Sequence, residues 1–95
     1  MTNLKSGVNM SDQFKSSQEQ VKNLKKRPSD SELLELYAWY KQATTGDVEG
    51  DRPGMLKIKD RAKWDAWSKV KSKSKPDAEK KYCDLVAQLV SKYGV

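Results

Sequence analysis

The sequence predicts an all-α fold of four helices, with one long loop between the second and the third helix. Apolar residues recur at helical spacing in four stretches of the chain. Helix-start signals stand at Ser29 and Ser74, and helix breakers stand at Pro28, Gly46 and Gly94. With 95 residues, the chain has room for one small domain.

The N-terminal residues differ from the rest of the chain. Residues 1–10 are polar and aperiodic, which predicts a mobile tail before a domain over residues 11–95. They contain no apolar core of a secretory signal, so none is expected. Apolar runs elsewhere are only two or three residues long, too short for a membrane span.

The first helix is expected from Ser11 to a point before Pro28. Its apolar face carries Phe14, Val21 and Leu24. Ser17 and Gln18 occupy a gap in that face, where they are either tolerated or leave space for a bound molecule.

The second helix is expected over residues 30–45, with Ser29 and Glu32 forming a capping box. Residues 46–59 then form the long loop. At about 3.3 Å per residue it can extend roughly 45 Å, enough to run back along the helix. Helices 2 and 3 can therefore be parallel.

The third helix is expected to start with Asp60 as its cap, and to carry Ala62, Trp67 and Val70 near one side. The fourth helix is capped by Ser74, with Asp77 at the third position. Its core-facing positions are Ala78, Tyr82, Leu85, Val86, Leu89 and Tyr93. Short connections favour packing of helix 1 on helix 2, and of helix 3 on helix 4. An up-down-down-up bundle is permitted by these lengths without being required.

The composition excludes several classes of chemistry. The chain has no histidine, so histidine-based catalysis and histidine metal ligands are excluded. Its one cysteine, Cys83, cannot form an internal disulfide, and we interpret it as a half-buried filler thiol. Binding is therefore favoured over catalysis, and a reducing cytosol is the expected compartment.

The charge favours an anionic partner. The chain carries 19 Lys and Arg residues against 13 Asp and Glu, a net charge of +6. Basic residues cluster over 22–27 and 69–75. Nucleic acid, anionic lipid and a phosphorylated small molecule all fit this excess, as does a solvated lysine-rich linker.

The second helix carries an unusual face. At about 100° per residue, five side chains share an arc of about 120°. They run from apolar to cationic: Leu33, Leu34, Tyr37, Tyr40 and Lys41. Glu32, Glu35 and Gln42 fall on the opposite side. The arc matches an amphiphile with a hydrocarbon end and an anionic head, although tyrosines of an ordinary core with a lysine at the rim would give the same pattern.

The motifs on and after this helix resemble those of the acyl-CoA-binding protein family. They are Tyr-Ala-Trp-Tyr-Lys-Gln-Ala-Thr over 37–44, Gly-Asp at 46–47, Arg-Pro-Gly-Met over 52–55, Lys-Trp-Asp-Ala-Trp over 63–67, Tyr82, and Lys-Tyr-Gly over 92–94. The resemblance extends from about Phe14 to the C-terminus and is specific in order and spacing.

The resemblance implies an up-down-down-up bundle that binds medium- to long-chain fatty acyl-CoA without reacting with it. It implies a monomeric, cytoplasmic pool former and carrier with no cofactor, no metal and no nucleic-acid partner. Transient contact with membranes or with acyl-CoA-using enzymes is also implied.

The resemblance also assigns the site by matching positions. Tyr37, Tyr40 and Lys41 would line the nucleotide site, and Lys63 would join Lys41 at the phosphates. Tyr82 would contact the ligand from helix 4. Further matched positions are Lys22 and Lys59 at the ligand head, and Leu33 and Leu34, with Ser17 and Gln18, along the acyl chain.

Two departures from the family pattern stand out. Trp39 falls on the polar side of helix 2, where it is expected to be either a harmless exposed aromatic or a contact surface. Leu33 occupies a position where family members often carry methionine, which predicts an altered chain-length preference.

Overall fold

The computed structural model describes the backbone of residues 10–95 and the side chains of residues 12–95. Its helices are α1 (Met10–Val21), α2 (Asp30–Thr44), α3 (Ile58–Ser68) and α4 (Lys75–Tyr93). Residues 10–95 contain no strand, so the all-α prediction is confirmed. The predicted tail lies outside the described residues except for Met10, which already belongs to α1.

The two strongest helix starts form as predicted. In α2 the Ser29 hydroxyl accepts a hydrogen bond from the Glu32 N–H (3.2 Å), while the Glu32 carboxylate accepts one from the Ser29 N–H (2.8 Å). In α4 the Ser74 hydroxyl accepts from the Asp77 N–H at 3.2 Å. These bonds satisfy N–H groups that have no partner inside the helix.

One helix end agrees with the prediction and one differs. α1 ends at Val21, before Pro28 as predicted, and Leu24 of the expected face lies beyond the helix, in the connection over residues 22–29. Asp60 does not cap α3: the helix begins at Ile58 without a side-chain cap. Asp60 instead lies in the first turn, where its negative charge favours the helix dipole.

α4 is the central helix of the bundle. It packs against α1 and α2, and α3 packs against α2. The expectation that helices 1 and 2, and helices 3 and 4, are direct neighbours is wrong, because α4 lies between α1 and α2, and α2 lies between α4 and α3. The core consists of Phe14, Leu36, Ala43, Ala78, Tyr82, Val86 and Leu89.

Paired contacts along the helices establish their directions. Lys63 lies over Tyr37 and Trp67 lies under Lys41, so α2 and α3 run parallel. Phe14 of α1 packs on Tyr82 of α4. Beyond the ends of these helices, the Lys25 N–H donates to the Gly94 carbonyl at 2.9 Å. α1 and α4 therefore also run parallel.

α2 and α4 run antiparallel, since the start of α2 meets the end of α4. There the Glu32 carboxylate accepts from Lys92 Nζ (2.8 Å) and from the Tyr93 hydroxyl (2.6 Å). Bonds from Lys92, Tyr93 and Ser29 lower the pKa of Glu32 to about 2. With both parallel pairs, this gives the up-down-down-up order.

Gln42 departs from its predicted place on a polar face. It is buried, with an exposed fraction of 1%, and its Nε2 donates to Asp47 Oδ1 and to the Lys73 carbonyl, both at 2.8 Å. Asp47 Oδ1 also accepts from the Ser72 N–H (2.7 Å), so one amide joins the loop after α2 to the connection before α4. The bonds from Gln42 and from the Ser72 N–H lower the pKa of Asp47.

Within residues 10–95, none of the helices has the length and apolar character to cross a membrane.

Candidate functional site

A groove of about 320 Å³ opens between α1, α2 and α4, and we call it the aromatic groove. It is lined by Val21, Lys22, Pro28, Leu33, Leu36, Tyr37, Tyr40 and Tyr82. Its walls are mostly apolar or aromatic, with one cation at the side of α1. Such a surface suits a ligand with a hydrocarbon part.

Aromatic contacts form one wall of this groove. Tyr40 packs on Phe14 with ring centroids 6.0 Å apart, and its centroid lies 6.3 Å from that of Tyr82. Tyr40 nevertheless remains 39% exposed, so its ring is not sealed into the core. Burial raises the pKa of Tyr82 to about 12, further above neutral pH than the pKa of an exposed tyrosine.

Two ammonium groups lie where α2 faces α3, and we call them the cationic pair. Lys41 Nζ lies 5.0 Å from the centroid of Trp67, and Lys63 Nζ lies 5.5 Å from that of Tyr37. The attraction between a cation and an aromatic face holds each group in place. Among residues 12–95, no carboxylate lies within 4.0 Å of either ammonium. Both charges are therefore available to an anion.

Trp67 is itself fixed by the loop after α2. Its indole Nε1 donates to the Gly46 carbonyl at 2.8 Å. The ring that supports Lys41 is therefore oriented by the chain reversal at Gly46, whose φ of +98° favours glycine.

The remaining predicted positions divide into two groups. Leu33 lines the aromatic groove, and Lys22 lies at its edge, where it also pairs with exposed Glu19 at 3.4 Å. Leu34 lines a different groove, and Lys59 is exposed on α3, one turn before Lys63. Neither Leu34 nor Lys59 lines the aromatic groove.

The second groove, of about 520 Å³, lies between α2 and α3. It is lined by Ser31, Leu34, Glu35, Ala38, Trp39, Ala62, Asp65, Ala66, Lys69 and Val70. Trp39 is half-buried here and packs against the core, so the expectation of an exposed aromatic is wrong. A helical projection gives the side of α2 on which Trp39 lies, but it cannot show that other helices cover part of that side.

Sequence reasoning misses part of the lining of the aromatic groove. Val21 and Pro28 are predicted only as parts of the face and the end of helix 1, and Leu36 lies just outside the predicted arc. The signal that could have found Leu36 is its position one turn before Tyr40. Ser17, in the predicted gap of α1, is buried and Gln18 is half-buried.

The arginine of the Arg-Pro-Gly-Met motif holds the long loop in place. Arg52 binds Asp65 of α3 through two hydrogen bonds, from Nε to Oδ1 at 2.7 Å and from Nη2 to Oδ2 at 2.6 Å. The Arg52 guanidinium lowers the pKa of Asp65. The loop is thereby fixed against the helix that carries Lys63.

The comparisons with known proteins identify the family. The family model for Acyl CoA binding protein matches residues 11–86. The chain belongs to the acyl-CoA-binding protein family. A relative from the genus Hypsibius is 56% identical over 88 residues, which cover 93% of this chain and 99% of the relative.

Two further acyl-CoA-binding proteins agree with this membership. The Saccharomyces cerevisiae protein is 52% identical over 80 residues, covering 84% of this chain and 92% of its own. The crystal structure of Oryza sativa Acyl-CoA-Binding Protein 2 is 42% identical, with a TM-score of 0.84 over 88% of this chain and 93% of that chain.

Membership confirms the predicted class of function. The chain is a non-catalytic acyl-CoA-binding protein with a carrier role. Among the described residues, no cluster of three or more His, Cys, Asp or Glu side chains could hold a metal ion.

Proposed function

We propose that this chain binds one medium- to long-chain fatty acyl-CoA across the aromatic groove and the cationic pair. The supporting observation is that the aromatic groove continues, through Tyr37, to two ammonium groups without carboxylate partners among residues 12–95. Apolar, aromatic and cationic surfaces thus follow one another in the order that an acyl-CoA requires.

The nucleotide end is assigned to the cationic pair and its neighbours. Lys41 and Lys63 bind phosphate oxygens, with charge-assisted bonds of about 1.5–3 kcal/mol each. Tyr37 and Tyr40 offer ring faces to the base and hydroxyls to polar atoms. Tyr82 contacts the ligand from α4.

Two further lysines are assigned to the same end of the ligand. Lys22, at the edge of the aromatic groove, and Lys59, on α3, are both exposed, and we assign them to contact with the anionic head. Salt therefore weakens their contribution most.

The acyl chain is assigned to the apolar end of the aromatic groove. Leu33 lies in this groove, while Leu34 lies in the second groove on the other side of α2. A chain that contacts both leucines therefore passes over the first turns of α2. Each methylene buried on this path contributes about 0.8 kcal/mol, so affinity increases with chain length.

Family membership supports the remaining parts of the proposal. The chain acts as a monomer in the cytoplasm, needs no cofactor and does not bind nucleic acid. It forms a pool of acyl-CoA and passes it on in transient contacts with membranes or with acyl-CoA-using enzymes. Bundle and groove together shield the acyl chain from water.

Calorimetric titration of three ligands tests the proposed site. Dodecanoyl-CoA is expected to bind at least about a hundredfold more tightly than dodecanoic acid, because the acid lacks both phosphate contacts. Free CoA is expected to bind more weakly than dodecanoyl-CoA because it lacks the buried chain. Equal affinities for acid and ester would refute the assigned head contacts.

A salt titration separates this proposal from nucleic-acid binding. Affinity for duplex DNA would fall by about one power of the salt concentration for each phosphate contacted. Acyl-CoA affinity is expected to fall less, because the buried chain does not respond to screening.

A further inference from the structure

Three large apolar side chains project from the end of the long loop, and we call them the apolar tip. Met55, Leu56 and Ile58 are 79%, 97% and 75% exposed. We propose that the apolar tip and the lysines around it dock this protein on the surface of an anionic lipid bilayer. The proposed function includes transient contact with membranes. The present proposal rests on that part of it and names the surface that makes the contact.

The apolar tip is held in its exposed position by local structure. The Lys57 N–H donates to the Gly54 carbonyl at 3.0 Å, which closes a turn with Met55 and Leu56 at its two central positions. The paired bonds between Arg52 and Asp65 fix the preceding part of the loop to α3. The apolar side chains therefore cannot fold back into the core without loss of these bonds.

Charge complementarity identifies the surface that the tip fits. Residues 55–63 contain four basic residues and one acidic residue, Asp60. The basic ones are Lys57, Lys59, Arg61 and Lys63. Each basic side chain near an anionic bilayer strengthens binding by about fivefold.

The alternation of residue types favours lipid over a protein partner. Leu56 and Ile58 flank Lys57, so apolar side chains enter the acyl boundary while the lysine stem extends to the headgroups. The tip is a projecting turn, which suits shallow insertion between headgroups. A stable protein interface instead requires a broad complementary surface.

The position of the tip gives the docking a direction. Because α2 and α3 run parallel, with Lys63 beside Tyr37, the tip lies toward the end of the bundle that holds Leu33. Docking thus brings the end assigned to the acyl chain toward the bilayer.

Flotation of the ligand-free full chain with vesicles tests the proposal. Vesicles of phosphatidylcholine alone are compared with vesicles in which about a third of the lipid is phosphatidylserine, at low and at high salt. The wild-type chain is expected to bind the anionic vesicles, and high salt is expected to weaken this binding.

Matched variants locate the contact. Leu56→Ser is expected to weaken binding to anionic vesicles by about tenfold or more, and Lys57→Gln by about fivefold. The controls are Val95→Ser, at another exposed apolar residue, and Lys81→Gln, at an exposed lysine of α4. Both controls are expected to bind like the wild type.

Three results would overturn the proposal. The first is that Leu56→Ser binds anionic vesicles as tightly as the wild type, and the second is that the wild type binds neutral and anionic vesicles equally. The third is that Leu56→Ser and the wild type differ in sedimentation coefficient without vesicles. The last result would assign the tip to self-association. A parallel dodecanoyl-CoA titration of Leu56→Ser distinguishes loss of docking from failure of the acyl-CoA site.

Discussion

Replacement of the cationic pair by alanine is the most direct perturbation of the assigned phosphate site. Lys41→Ala and Lys63→Ala each remove one ammonium group and leave the lining of the aromatic groove intact. A charge-assisted hydrogen bond contributes about 1.5–3 kcal/mol, which corresponds to a factor of about 10 to 150 in affinity.

The two lysines should differ within this range. Lys63 is exposed, so water and salt reduce its contribution, and we expect Lys63→Ala to weaken dodecanoyl-CoA binding by about tenfold. Lys41 is half-buried beside the Trp67 ring, so we expect Lys41→Ala to weaken it by up to about a hundredfold.

Stability should change far less than affinity. Each substitution removes a cation–π contact of about 0.5–1 kcal/mol, and alanine is itself a good helix former. The unfolding midpoint is therefore expected to fall by no more than about 8 °C.

The assay is calorimetric titration with dodecanoyl-CoA near room temperature, with circular dichroism as a check of the fold. The matched control is Lys81→Ala, which removes an exposed lysine from α4 and leaves both ring contacts in place. If Lys41→Ala and Lys63→Ala bind as tightly as Lys81→Ala, the cationic pair is not the phosphate site.

Three further predictions concern the bundle. Leu89 is 2% exposed, so Leu89→Ala is expected to reduce the free energy of unfolding by about 2–5 kcal/mol in urea titration; a loss below about 1 kcal/mol would contradict its place in the core. Ser29→Ala removes half of the capping box and should reduce the free energy of unfolding by about 1 kcal/mol in the same assay. Ser91→Ala, at an exposed position of α4, should change it little. Because the pKa of Glu32 is lowered from 4.5 to about 2, its stabilisation is present above pH 4.5 and is lost as the pH falls toward 2. Glu32→Gln should therefore be less stable than the wild type at neutral pH, and the difference should shrink as the pH falls through 2; an unchanged difference across this range would refute the assigned interaction.

Local signals predict the helices well. The capping box of Ser29 and Glu32 involves residues three positions apart, so the sequence contains all of its parts. The buried side of α4 follows from its period, which correctly places Ala78, Val86 and Leu89 in the core.

Contacts between distant segments escape sequence reasoning. Gln42 looks like a surface residue on a helical projection, and only the approach of the Lys73 carbonyl makes it a buried one. Leu33 and Leu34 are neighbours in the chain, yet Leu33 lines the aromatic groove and Leu34 lines the second groove, between α2 and α3. Periodicity describes the faces of one helix, and it does not determine which other helix covers each face.

The packing of α3 has a consequence for ligand exchange. In the described part of the chain, α3 packs against α2 alone, and none of its residues is buried. Helices with so few buried groups open locally at a low free-energy cost, so the amides of α3 should show the fastest hydrogen exchange of the four helices. Lys63 lies on this helix, and a phosphate that it shares with Lys41 would join α3 to the bundle. Binding of acyl-CoA would then slow the hydrogen exchange of the α3 amides. The rate at which this helix opens would limit the rate at which acyl-CoA dissociates.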